Sequence, residues 1–170
     1  MNVINITEEQ REKLCNNVAN LVNHLKQFED IECIYIASYI RYIRKTEPTL
    51  NITIVKKNPY NKDDVLNKII NFYKKMYQNE HNFKENGIKF SIEIDKSDKY
   101  NKLWLNPSEL LRYNFLFNSQ IIYDRTGDYS KLKQIAETYK NETNLNIYYY
   151  ENKADLQPPA FEKIKQKICS

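Results

Sequence analysis

Two acidic residues in the stretch IKFSIEID are the side chains best placed for chemistry. Glu93 and Asp95 stand at positions i and i+2 of an alternating pattern, so a strand would point both carboxylates to one face. A carboxylate pair of this kind binds a cation or raises the pKa of one partner. Solvation of an open sheet face is the other interpretation of the same pair.

A second set of polar residues lies earlier in the chain. Ser38 follows the β-forming run ECIYIA, and Arg41 and Arg44 come shortly after it. Asn51 and Thr53 alternate with apolar residues, which places their side chains on the opposite face of the second strand from those residues. The structural alternatives are a strand end at Ser38, a solvated helical face carrying the arginines, and solvent-facing positions for Asn51 and Thr53.

The stretch from Ile34 to Val55, IYIASYIRYIRKTEPTLNITIV, resembles the signature of the nucleotidyltransferase superfamily, including small bacterial nucleotidyltransferases and aminoglycoside nucleotidyltransferase-like domains. In that family one strand ends in Gly-Ser and a second strand carries Asp-x-Asp. Here Ala37-Ser38 and Asn51-Ile52-Thr53 stand at those positions. The family's third carboxylate lies on a later strand, where this chain has Glu93 and Asp95. The segment SQIIYDRTGDYSKLK resembles the strand and glycine turn that close many small members.

The resemblance implies a nucleoside triphosphate as ligand. It assigns nucleotide binding to Ser38, Arg41, Arg44, Asn51 and Thr53, and it makes Glu93 and Asp95 the catalytic residues and the metal ligands. The family clusters three carboxylates around Mg²⁺, which prefers hard anionic oxygens, whereas Asn51 and Thr53 offer an amide and a hydroxyl. Losing a metal-bridging carboxylate removes several kcal/mol of transition-state stabilisation, at about 1.4 kcal/mol per tenfold in rate. We therefore expect weak Mg²⁺ binding and no efficient nucleotidyl transfer.

The altered motif leaves three functional hypotheses. The favoured one is a nucleotidyltransferase-like pseudoenzyme with a degenerate metal site, which binds a nucleotide or a partner. The second is an active metal-dependent nucleotidyltransferase that moves a nucleoside monophosphate to an unknown acceptor, with Ser38 on phosphate and Arg41 or Arg44 supplying charge. The third is an antitoxin-like or dimeric interaction module whose sheet face contacts another chain.

Composition limits these hypotheses. The chain has 170 residues and only two glycines, Gly87 and Gly127, which excludes a glycine-rich phosphate loop. The net charge of +4 is mixed along the chain, so a nucleic-acid partner is not strongly indicated. No apolar run is long enough to predict a membrane span, and the amino terminus does not resemble a signal peptide. The three cysteines form no CxxC pair, which favours a reducing, cytoplasmic compartment.

The elements that must position these residues follow from hydrophobic periodicity. A capping box at Thr7 and Gln10 begins a predicted helix over residues 8–28. Residues 38–49 are expected to form a helical turn or a loop. The remaining pattern predicts strands at 32–37, 50–55, 88–95, 120–124 and 147–150, and helices over 65–77, 106–118, after the turn at Gly127, and over 158–168.

This order of elements predicts an α+β or α/β sandwich with a mixed β-sheet. Together with the resemblance, it favours an α+β fold with a nucleotidyltransferase-like mixed β-sheet packed with helices. We expect a single domain over residues 1–170, with a core at about 8–140 and a C-terminal extension at 141–170. The expected partners are a nucleoside triphosphate and a protein, which could be a second copy of the chain. Mg²⁺, weakly bound, is the expected cofactor.

Overall fold

The computed structural model describes residues 7–37, 39–43, 47–57, 64, 67–68, 71, 89–100, 119–143, 153–155 and 164–167. In chain order these residues form helix α1 (Glu8–Leu25), strands β1 (Ile31–Ala37), β2 (Tyr39–Ile43), β3 (Glu47–Lys56), β4 (Lys89–Lys96) and β5 (Ser119–Asp124), helix α2 (Asp128–Thr143) and strand β6 (Lys153–Asp155). The fold is α+β, with a mixed sheet packed with helices, as the sequence predicts.

Helix α1 begins at the predicted capping box. The Gln10 N–H donates to Thr7 Oγ1 at 3.1 Å, and the Thr7 N–H donates to Gln10 Oε1 at 3.0 Å. These two bonds satisfy backbone donors that the first turn of a helix leaves free. The helix ends at Leu25, shortly before the predicted end at residue 28. Its buried face consists of Leu14, Cys15, Val18, Ala19, Leu21, Val22 and Leu25.

Strand β3 is the centre of the six-stranded sheet. β1 and β2 pair antiparallel with successive parts of one edge of β3, and β4 pairs in parallel with the other edge. β5 extends the sheet beyond β1, and β6 extends it beyond β2, both in antiparallel pairing. β3 therefore has both parallel and antiparallel neighbours, and it carries two of the predicted site residues.

The sheet buries side chains on both faces. The apolar face packs against α1 and includes Ile34, Leu50, Ile52 and Ile54, each at most 1% exposed. On the opposite face, helix α2 and the helical residues 97–100 cover a smaller cluster. We call this opposite side the tyrosine face; its buried residues are Cys33, Tyr35, Thr53, Val55, Asp95, Tyr100, Tyr129 and Leu132.

The prediction of a turn or loop at residues 38–49 was wrong for the described part of that segment. Residues 39–43 form β2, and β3 already begins at Glu47. β2 is rich in tyrosine and isoleucine, which favour strands, and its pairing with β3 and β6 settles the conformation. The predicted turn at Gly127 is confirmed, since this glycine adopts a φ of 80°, which is unfavourable for other residues.

Several other predicted elements lie wholly or largely outside the described residues. The helix at 106–118 and the strand at 147–150 fall entirely outside them. Within the predicted helices at 65–77 and 158–168, the described residues 67–68, 71 and 164–167 are helical. Strand β6 was not predicted. No helix within the described ranges is long and apolar enough to cross a membrane.

Candidate functional site

The structure brings four of the predicted site residues to the tyrosine face. Asn51 and Thr53 lie on β3, and Glu93 and Asp95 lie on the neighbouring β4. The parallel register pairs Thr53 with Glu93 and Val55 with Asp95. Because paired residues on adjacent strands point to the same face, all four side chains share one side of the sheet.

The three other predicted site residues precede β3. Ser38 and Arg44 lie outside the described residues. Arg41 lies on β2, where its backbone is paired with Thr49 of β3 and Lys153 of β6. The roles of Ser38, Arg41 and Arg44 in binding a triphosphate therefore remain predictions from the resemblance.

Asp95 is buried and already has two partners. The residue is 8% exposed, and its Oδ2 atom accepts a hydrogen bond from the Tyr100 hydroxyl at 2.7 Å. The Lys99 ammonium group lies 3.1 Å from the same oxygen. Both partners come from the helical residues directly after β4. The carboxylate is thus paired within its own segment of chain.

A chain of hydroxyl groups continues from Asp95 across the sheet. The Tyr100 and Tyr35 phenol oxygens are 2.8 Å apart. Burial is the main reason why the pKa of each tyrosine is raised far above the ordinary phenol value. Both phenols therefore stay protonated at neutral pH. The chain joins Asp95 to Tyr100 and Tyr35, two side chains that the sequence did not identify.

Helix α2 also packs on the tyrosine face, through Tyr129 and Leu132. The Tyr129 hydroxyl donates to Glu32 Oε2 at 2.5 Å, and the Tyr129 and Tyr100 rings pack edge to face with centroids 5.3 Å apart. Burial raises the pKa of the Cys33 thiol well above its ordinary value, and the nearby charges of Asp124 and Glu32 act in the same direction. Cys33 is consequently a packing residue and not a reactive thiolate.

Asn51, Thr53 and Glu93 form what we call the polar patch. Thr53 is buried, Asn51 is half-buried and Glu93 is exposed. The Asn51 Oδ1 atom is buried and accepts no hydrogen bond from any described residue. Burying an acceptor without a donor costs free energy, so this amide is the member of the patch most in need of a partner.

The described residues do not form the three-carboxylate site that the resembled family uses. No group of three or more His, Cys, Asp or Glu side chains within these ranges is arranged to hold a metal ion. Glu93 is the exposed carboxylate of the predicted pair, and Asp95 is paired with Lys99 and Tyr100. One exposed carboxylate beside an amide and a hydroxyl is a poor match to Mg²⁺.

Sequence reasoning missed Tyr35, Tyr100 and Lys99. The available signal was the tyrosine content, because fourteen phenols in one chain include some that must be buried and hydrogen-bonded. The alternation of β1 also indicates that Cys33 and Tyr35 share one face. That this face is the one carrying Asp95 depends on strand order, which local patterns do not contain.

Comparisons with known proteins assign no family to the chain. No protein-family model matches it, and no curated protein matches it. One solved structure that resembles it is the solution NMR structure of NF4, a de novo designed protein with a novel fold. At 11% identity this match covers 84% of the present chain and 98% of NF4, with a TM-score of 0.29. A similarity at that level carries no argument about fold or function.

Proposed function

We propose that this chain is a non-catalytic, nucleotidyltransferase-like protein that binds a nucleotide at the polar patch of Asn51, Thr53 and Glu93. The observation that carries the proposal is the state of Asp95. Its carboxylate is buried and bound by Lys99 and Tyr100, so it is poorly placed to share a metal ion with Glu93.

The absence of catalysis follows from the charge available at the patch. Phosphoryl-type transfer depends on metal ions that offset the charge developing on the phosphates. With Glu93 as the one exposed carboxylate, Mg²⁺ would lack the anionic ligands that hold it in place. Binding makes no such demand, because a few polar side chains can orient a ligand without a bound metal ion.

Nucleotidyl transfer and nucleotide binding are tested on the same protein. We expect purified protein with Mg²⁺ and labelled nucleoside triphosphates to transfer no label, while at least one triphosphate raises the melting temperature. Glu93→Gln should weaken that stabilisation. Glu29→Gln, which neutralises an exposed carboxylate in the loop between α1 and β1, is the matched control and should leave it unchanged.

Two results would contradict the proposal. Transfer of label that Glu93→Gln abolishes would support the active nucleotidyltransferase instead. If none of the four triphosphates changes the melting temperature, nucleotide binding is refuted and the interaction module becomes the better hypothesis. Mass measurement of the native protein then tests for a bound partner or a second copy of the chain.

A cytoplasmic location is a further part of the proposal. It is supported by Cys15 and Cys33, two buried thiols that form no disulfide in the structure. Counting thiols in freshly isolated, denatured protein tests it. Full reactivity of all three cysteines is expected, and a disulfide in the isolated protein would contradict a reducing compartment.

A further inference from the structure

Helical residues 164–167 pack against α1, and we call this short segment the latch. Ile164 is 0% exposed and belongs to the same apolar cluster as the buried side chains of α1. The other three residues of the latch are half-buried or exposed. A single side chain therefore supplies the apolar part of the contact, whereas seven buried side chains hold α1 in place.

Lys167 supplies the polar part of the contact. Its ammonium group lies 2.8 Å from Glu12 Oε1 and also donates to Asn16 Oδ1. Its carbonyl oxygen accepts a hydrogen bond from Asn23 Nδ2 at 3.2 Å. The Lys167 and Glu12 side chains are 34% and 48% exposed, so solvent screens their attraction. The latch is thus fastened by one half-exposed ion pair and by two hydrogen bonds to asparagine side chains.

Such a contact is weak compared with the packing of α1 on the sheet. Helical segments shorter than about 12 residues are marginal in water without tertiary contacts, and a half-exposed ion pair contributes little to stability. The Asn23 Oδ1 atom is buried beside this contact and accepts no hydrogen bond from any described residue, which adds a cost to the closed state. Regions held in this way open at a lower free energy than the whole fold.

We infer that the latch is a conformational device. It detaches from α1 while α1 and the sheet stay folded, and the ion pair between Lys167 and Glu12 sets how often it opens. Release uncovers the apolar surface on which Ile164 packs and gives the Asn23 amide access to water. Salt screens half-exposed charges, so the latch opens more often at high ionic strength. The polar patch takes no part in this motion, so the inference is independent of the proposed function.

Amide hydrogen exchange of the whole wild-type chain, followed by NMR at urea concentrations below the unfolding transition, measures the opening. After correction for intrinsic rates, we expect the amides of residues 164–167 to exchange at least about tenfold faster than those of residues 18–22 in α1. Their exchange should also depend less on urea, because opening of the latch exposes less surface than unfolding does. Equal rates with equal urea dependence would mean that the latch opens only when α1 unfolds, which overturns the inference.

Lys167→Met tests the control by the ion pair. Methionine keeps an unbranched side chain and removes the charge, so we expect exchange of the latch amides to rise about two- to fivefold. Lys13→Met is the matched control, because it breaks the 3.1 Å pair with Glu9 inside α1, and that pair stays formed when the latch opens. Latch exchange in Lys13→Met should equal that of wild type. An unchanged latch in Lys167→Met, or an equal rise in both variants, overturns the inference.

Ionic strength separates the charge of Lys167 from the shape of its side chain. Raising sodium chloride from about 0.01 M to about 1 M shortens the screening length about tenfold. We expect this change to speed exchange of the latch amides about two- to fivefold in wild type, and by less than about twofold in Lys167→Met. If the two proteins respond equally to salt, the ion pair does not set the opening and the inference is overturned.

Discussion

The apolar face and the tyrosine face of the sheet are both buried, but different forces hold them. On the apolar face, Ile34 and Ile54 are fully buried in a cluster packed against α1, and this burial stabilises in proportion to area. On the tyrosine face, Tyr35, Tyr100 and Asp95 are joined by short hydrogen bonds. Such a network adds modest net stability when complete and is costly when one member is lost.

The difference indicates how each face should respond to change. The central isoleucines of the apolar face do not titrate. This face should instead be sensitive to substitutions that remove side-chain volume from its core. The tyrosine face contains phenols with raised pKa values and should be sensitive to alkaline pH. Perturbing one face at a time therefore tests whether the two contributions are separate.

Alkaline pH is expected to have the largest effect. Burial raises the pKa of Tyr35 and Tyr100 above the ordinary value of 10.0. An unfolded chain loses these protons near pH 10 whereas the folded chain keeps them, so their contribution to stability is complete below pH 10 and falls above it. Each phenol removes up to about 1.4 kcal/mol per pH unit, or up to about 5 kcal/mol for both over two units. Urea unfolding at a series of pH values measures this decline.

Two variants test the source of the alkaline effect through the slope of the unfolding free energy against pH. Tyr100→Phe removes one titrating phenol and should give a shallower decline above pH 10 than wild type. Ile54→Ala lies on the other face and should keep the wild-type slope. Identical slopes in wild type and Tyr100→Phe would show that the tyrosine face does not cause the decline.

Ile54→Ala should have the next largest effect. Ile54 is 0% exposed, and truncation leaves a cavity in the apolar face. We expect the free energy of unfolding to fall by about 2–5 kcal/mol. Ile135, on α2, is 39% exposed, and Ile135→Ala should change stability by no more than about 0.5 kcal/mol. Denaturant unfolding at neutral pH compares the two, and equal losses would contradict the burial of Ile54.

Tyr100→Phe should have a smaller effect at neutral pH. The substitution keeps the ring but removes the donor to Asp95 and the acceptor for Tyr35. Lys99 still contacts Asp95, so we expect a loss of about 1–3 kcal/mol. Tyr123→Phe, at a half-buried position beside the apolar core, is the matched control and should cost no more than about 0.5 kcal/mol. If Tyr100→Phe leaves the free energy of unfolding unchanged, the hydroxyl chain is dispensable for stability.

The sequence predicted the apolar face better than the tyrosine face for a physical reason. Alternation alone identifies Leu50, Ile52 and Ile54 as one buried side of a strand, and the structure confirms it. Alternation also groups Glu93 with Asp95, but it says nothing about what covers them. The cover depends on contacts between residues distant in sequence, such as Tyr35 with Tyr100.

The segment containing β2 illustrates a second limit. Its mixture of tyrosine, isoleucine and arginine suits a strand, and its spacing also suits a helical turn. Pairing with β3 and β6 decides between them, and that pairing is not local. For the site, the sequence could therefore indicate which residues share a face. Only the structure shows that Lys99 and Tyr100 bind the Asp95 carboxylate.

The central proposal is that the polar patch stands where the nucleotidyltransferases that the sequence resembles hold a metal ion, with Asn51 and Thr53 in place of two carboxylates. The double substitution Asn51→Asp and Thr53→Asp introduces the Asp-x-Asp motif of the resembled family beside Glu93. Without Mg²⁺ the variant should melt below wild type, because it crowds carboxylates on one face. Adding Mg²⁺ should raise the melting temperature of the variant, since an ion bound only by the folded state stabilises it.

The most direct test is therefore the Mg²⁺ dependence of the melting temperature of wild type and of this double variant, measured without nucleotide. We predict that Mg²⁺ leaves wild type unchanged and recovers most of the stability that the variant loses. Equal responses of the two proteins to Mg²⁺, or no response in the variant, would contradict the claim that these positions form an altered metal site.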